Sequence, residues 1–306
     1  MATVSPRVGV ACILGGSALF ATIGTAQAIG GLDATPLALG GARLIVASIA
    51  LVLLLPAFGQ KRGAIVGLWR RPAVIVAAVA TAFFQVTFFA GVRAAGVALG
   101  TLLVIGSVPV FAGILSWMFL RQRPSLGWLG ATGVCLLGLG LLFSQGMVVG
   151  SLIGVLLCLA TGLGIASYAV AARTLLDAQV HPVSLMAAAF SLGALLMVPL
   201  LAFQPMAWLL HPKGIALALY LGLATMVLAN WLQLRGLAVI GPAPTMTLNL
   251  AEPLIATMLG VLVLGESLTM LAVLGLVLVM AGLGLQSLLV ARRSTPLRAP
   301  DLPARS

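Results

Sequence analysis

The alternation of apolar and polar positions divides the chain into ten apolar stretches, approximately residues 8–29, 36–57, 73–93, 97–119, 125–144, 151–172, 183–203, 213–234, 243–264 and 268–290. Each approaches the roughly 20 residues an α-helix needs to cross a hydrocarbon core. Prolines and charged residues punctuate the stretches, and every connection is short. Backbone in lipid must satisfy its own hydrogen bonds, so the pattern predicts an all-α integral membrane protein of ten transmembrane helices. The segment 292–306, with Pro296, Pro300 and Pro303, is predicted to be a disordered basic tail. Arg7, the first apolar run and Ala26-Gln27-Ala28 resemble a secretory signal, but the run is long for one and has a counterpart later in the chain, so a retained helix is expected.

Composition sharpens this picture. Hydrophobic residues make up 62% of the 306 positions and charged residues 7%, against about 25% charged in soluble domains. That excludes a soluble enzyme, a disordered chain or a coiled coil. The net charge of +11 fits either an anionic partner or a topology signal. Thirteen of the sixteen basic residues fall in connections on the side of the N-terminus, two (Arg93 and Lys213) on the other side, and Arg43 inside a span. This bias predicts cytoplasmic termini and needs no nucleic acid to explain it. Cys12, Cys135 and Cys158 lie apart within apolar runs without metal-ligand spacing, so neither a metal nor another cofactor is expected. Trp69, Trp117, Trp128 and Trp208 stand near span ends and are expected to anchor at the membrane interface.

The chain repeats itself at an offset near 145. Arg93–Phe143 lies on Leu237–Ser287, with Pro109 on Pro253, Leu120 on Leu264 and Gly138-Leu139-Gly140 on Gly282-Leu283-Gly284. Gly9-Val10 falls on Gly154-Val155, Thr22 on Ser167 and Pro36 on Pro182. Five spans per unit is an odd number, so residues 1–147 and 148–291 are predicted to insert in opposite orientations. The basic Arg121-Gln122-Arg123 accordingly corresponds to the acidic Gly265-Glu266-Ser267. Inverted repeats with a substrate site near the midplane are a recurrent transporter design.

Ten spans as five plus five, Arg43 within Leu37–Ser48, Glu252-Pro253 within Asn249–Leu268 and the closing Gly-rich helix resemble the drug/metabolite transporter superfamily, EamA-type. The resemblance covers essentially the whole chain. It implies a multi-pass protein of the bacterial inner membrane exporting amino acids or similar small metabolites, as bacterial members do, aromatic-amino-acid exporters among them. Sugar-phosphate transport, known in other members, would require a clustered intramembrane Lys/Arg pair, which is absent. Proton-coupled efflux of drugs or cations is the alternative, although the first and sixth spans contain no acid.

Arg43 and Glu252 are the ionisable residues placed inside spans, where unpaired charge is costly. Arg43 could hold a carboxylate; Glu252 could bind a proton or a substrate ammonium. Each could instead be satisfied structurally. Thr245, Asn249 and Glu252 are expected on one face of the ninth span, and Thr81, Gln85 and Phe88 on one face of the third. Asn230 shares a face with Gln233, while Ser167, Tyr168, Thr22 and Trp231 complete a set of polar or amphipathic candidates for a cavity. The phenylalanines of the third span are expected to face lipid. Pro109 and Pro253, each near the middle of a span, are candidate hinges. Intramembrane proteolysis would need H-E-x-x-H, an aspartate pair or a G-x-S-x-G nucleophile, and the sequence has none.

Overall fold

The computed structural model describes residues 5–31, 34–144, 151–265 and 268–292; Asp33, Glu266 and the predicted tail after Arg292 lie outside them, and Arg292 itself ends the last helix. Ten helices in it are long and apolar enough to cross a membrane. They are α1 (Pro6–Gly30), α2 (Pro36–Leu54, prolonged by a 3-10 turn Leu55–Phe58), α3 (Pro72–Ala95), α4 (Val97–Leu120) and α5 (Leu126–Phe143). The second unit supplies α6 (Leu152–Asp177), α7 (Pro182–Leu201), α8 (Pro212–Ile240), α9 (Pro242–Val263) and α10 (Met270–Arg292). A short helix, Ala64–Leu68, connects α2 to α3.

Local chemistry sets the starts. Ser5, Thr35, Ser125 and Ser151 cap α1, α2, α5 and α6, each side chain accepting a first-turn N–H at 3.1–3.4 Å. Proline opens α1, α2, α3, α7 and α8, where its missing N–H costs nothing. Between α3 and α4, and again between α8 and α9, the chain turns on a single glycine. Gly96 and Gly241 occupy equivalent turns, one residue out of the register that follows them, with φ of 92° and 91°, a conformation that strains any residue with a side chain.

An even number of crossings brings the start of α1 and the end of α10 to one face, the terminal face; the opposite face is the distal one. The helices pair across the two units rather than within them: α5 with α10, α2 with α7, α3 with α6, and α1 with α8. Exchanging the units maps this set of pairs onto itself, as the inverted repeat requires. Glycine lets the α5–α10 pair touch backbone to backbone. A Cβ on Gly138 would stand 2.6 Å from the Gly275 carbonyl oxygen, and one on Gly282 would stand 2.9 Å from that of Ala131.

Two segments depart from regular helix. The ninth span is broken into α9a (Pro242–Leu248) and α9b (Ala251–Leu264), with Asn249 and Leu250 in a turn between them. Pro253 lacks the N–H that would bond the Asn249 carbonyl, and the Glu252 amide takes that oxygen instead at 2.9 Å. Its repeat counterpart, Pro109, sits inside the continuous α4. The two candidate hinges therefore differ in kind. In α8 the segment Leu221–Leu228 widens to a π-helix, an irregularity common at functional positions.

The tryptophan expectation needs correction. Trp128 and Trp208 are each 5% exposed, packed inside the protein rather than at its rim. Trp128 donates from Nε1 to Thr247 Oγ1 at 3.0 Å, which explains its inward position. Arg93, Arg173 and Arg235, read as loop residues, lie within α3, α6 and α8, Arg93 in the last turn of its helix.

Candidate functional site

A cavity of about 540 Å³ lies between the two units in the distal half of the bundle. The first unit contributes Phe20, Gly24 and Gln27 of α1, Gly40 and Arg43 of α2, and Phe84 and Phe88 of α3. The second contributes Leu221 of α8 and Glu252, Ala256 and Gly260 of α9b. A smaller cavity of about 160 Å³ beside Pro6, Trp128 and Gln286 contains no charged side chain.

The break in α9 positions Glu252. It starts α9b near mid-depth, and the next two turns of the same face bring Ala256 and Gly260 along the cavity wall. Its carboxylate stands in the first turn, where the positive helix end favours an anion. Arg43 comes from the other unit, seven residues into α2 and so about 11 Å along its axis. Its Nη2 donates to Gln85 Oε1 at 3.3 Å, while its Nε has no partner. Gln85 is 1% exposed and can lie there because position 40 is glycine: a Cβ would collide with the same Oε1. Among the described residues the one ion pair is Arg173–Asp177. Arg43 and Glu252 thus act on each other through space without closing on one another. A cation from one unit and an anion from the other, with phenylalanines in the same lining, can take a molecule bearing both charges and an apolar body.

The expected polar set divides. Arg43 and Glu252 line the cavity, and Gln85 supports Arg43 from behind. Thr22 shares a hydrogen bond of 2.7 Å with the Tyr220 hydroxyl, tying α1 to α8. Asn249, in the break, keeps the helical bond to the Thr245 carbonyl at 3.0 Å and does not line the cavity. Its Oδ1 accepts from Ser17 Oγ at 3.2 Å, fastening the turn to α1. Asn230, Trp231, Ser167 and Tyr168 are past the midpoints of α8 and α6, toward the terminal face, and do not line the cavity. Asn230 donates to the Met226 carbonyl at 2.9 Å, and Ser167 to that of Leu163 at 2.8 Å. Arg235 stacks over Trp231 at 4.7 Å, and Tyr168 stacks on Phe190 at 6.4 Å between centroids.

Phe88, expected on the face of Thr81 and Gln85, and Phe84, expected against lipid, both line the cavity and stack at 5.2 Å. The spacing of Phe84 four residues before Phe88 was the available signal. Ala256 and Gly260 were missed because small residues announce packing and open space equally.

The terminal half carries a further tie. Arg173, at the end of α6, donates from Nη1 to the Leu237 and Ala238 carbonyls at 3.0 and 2.9 Å, holding the last turn of α8. Asp177 fixes the same guanidinium at 2.9 Å. The repeat counterpart of Arg173 is Ala28, so the distal side has no equivalent clasp.

Two inverted five-helix units enclosing a cavity between them make this chain a multi-pass membrane transporter in architecture. The sequence pattern of the EamA-like transporter family matches it twice, over residues 7–144 and 152–288, and the chain belongs to that family. It is 39% identical over 263 residues to a chain of Bacillus subtilis (strain 168) called "Uncharacterized transporter YwfM", covering 86% of this chain and 88% of that one. A crystal structure 17% identical superposes with a TM-score of 0.79 over 94% of this chain and 99% of the other, which bears on the fold alone.

Proposed function

We propose that the protein is a secondary transporter of the bacterial inner membrane, with both termini cytoplasmic, that exports amino acids or similar small metabolites by alternating access. The observation that carries this reading is the placement of Arg43 and Glu252 in the lining of one cavity, each from a different unit. A carboxylate matches Arg43 and an ammonium matches Glu252. The basic bias of the terminal face supports its cytoplasmic placement, and the resemblance to bacterial exporters gives the direction.

Counterflow in proteoliposomes with labelled amino acids, with and without a pH gradient, tests this. Exchange of at least one amino acid is expected, and a complete panel without exchange overturns the amino-acid assignment. Proton-coupled efflux of cations is the second reading, favoured by the carboxylate of Glu252 lying in the cavity without a basic partner in contact. Glu252→Gln separates the two. Loss of exchange even without a pH gradient is expected for substrate binding, whereas retained exchange with loss of the pH response marks a proton carrier.

A further inference from the structure

The inverted repeat assigns to every residue lining the distal cavity a counterpart in the terminal half. Matching Gly9 to Gly154 and Thr22 to Ser167 sets Ile23 against Tyr168 and Gly24 against Ala169. Matching Pro109 to Pro253 sets Val108, Ala112 and Ser116 against Glu252, Ala256 and Gly260. The turn glycines Gly96 and Gly241 set Gln233 against Phe88.

Most of these counterparts are buried. Val108, Ala112, Ala166 and Ala169 make one buried cluster. Ser116 and Gln233 are 1% and 7% exposed. Such a region, if built only for packing, would satisfy its polar groups. It does not. Six buried side-chain polar atoms lack a hydrogen-bond partner among the described residues: Arg43 Nε, Ser116 Oγ, Tyr168 Oη, Trp208 Nε1, Gln233 Oε1 and Gln286 Oε1. One lines the open cavity, and three belong to its repeat image.

We infer that Ser116, Tyr168 and Gln233 line a second half of the substrate path, collapsed in this conformation and opened to the terminal face when α8 swings away from α6. Their orphaned polar atoms meet water or substrate only in that state. The counterparts of Arg43 and Glu252 there are Ala189 and Val108. The terminal half therefore presents neutral hydroxyl and amide groups to the substrate and leaves both charges to the distal half. This rests on the transport reading above. The barrier to opening includes the clasp of Arg173 on α8, which has no distal twin.

The test uses single cysteines in the full chain, with Cys12, Cys135 and Cys158 replaced by serine or alanine, and a charged, membrane-impermeant maleimide added to either face of oriented vesicles. Ala256→Cys should be labelled from the distal face. Ser116→Cys, nearly isosteric, and Gln233→Cys should resist labelling from both faces. Adding Arg173→Ala should make both react several-fold faster from the terminal face, with Ala256→Cys reacting more slowly from the distal one. If Ala256→Cys labels as expected while Ser116→Cys and Gln233→Cys stay unreactive with Arg173→Ala, the inference fails and the transport reading stands. If Ala256→Cys is itself inaccessible from both faces, the transport reading fails and takes this inference with it. Monodisperse elution of each variant in detergent shows that it is folded.

Discussion

At position 40 the absence of one methyl group decides the state of a buried charge. Gly40 leaves room for Gln85 Oε1, and Gln85 in turn holds one arm of Arg43. Gly40→Val should displace the amide, free the guanidinium and reduce transport at least about tenfold, because a mis-set charge loses a hydrogen bond worth about 1.5–3 kcal/mol. Adding Gln85→Ala should cause little further loss, because the Gly40→Val variant has already lost that acceptor. Measured exchange rates for the single and double variants check this, and defects that add in the double variant would show that Gly40 acts some other way. Much of this arrangement was visible beforehand: Arg43 and Glu252 stood out because charge is rare in lipid-embedded sequence. The roles of Gly40 and Gln85 were not, since a supporting contact across two helices leaves no mark on the spacing within either.

Helices carry a second level of information that local sequence reports only in part. The ten spans were legible because lipid imposes one pattern on every backbone that crosses it. The break in α9 was not, although proline marked both it and its counterpart in α4. Tertiary partners account for the difference. Ser17 of α1 holds Asn249 in the turn, while Trp128 and Thr132 of α5 bond Thr247 at 3.0 and 2.8 Å just before it. Pro253→Ala restores an N–H that can bond the Asn249 carbonyl, so it should stiffen α9 and slow exchange markedly. Pro109→Ala, in a helix already continuous, should change exchange far less. Transport measured for the two variants at equal protein content decides the matter, and indistinguishable rates would remove the distinction between the hinges. The α5–α10 contact makes a different prediction, about stability. A leucine at position 282 has no room against Ala131 and Cys135. Gly282→Leu should cost about 1–3 kcal/mol, the usual range for overpacking, and lower the thermal midpoint in detergent by several degrees.

Over the whole molecule, the repeat organises both the fold and the site. One unit contributes Arg43, the other Glu252, and the cavity exists only where they meet. The repeat and its inversion were readable from matched prolines and glycines and from the sign of the loops. Which half stands open was not readable, because it depends on small asymmetries between units, such as arginine at 173 against alanine at 28. The most extensive helix pairs each join one unit to the other, so neither unit can bury its own faces alone. The covalent link between α5 and α6 is then dispensable to assembly. Residues 1–147 and 148–306, co-expressed as separate polypeptides, should find each other in the membrane, co-purify through a tag on either and regain exchange. Each fragment expressed without its companion should be degraded. By this account the gene encodes a heterodimer that happens to be translated in one piece.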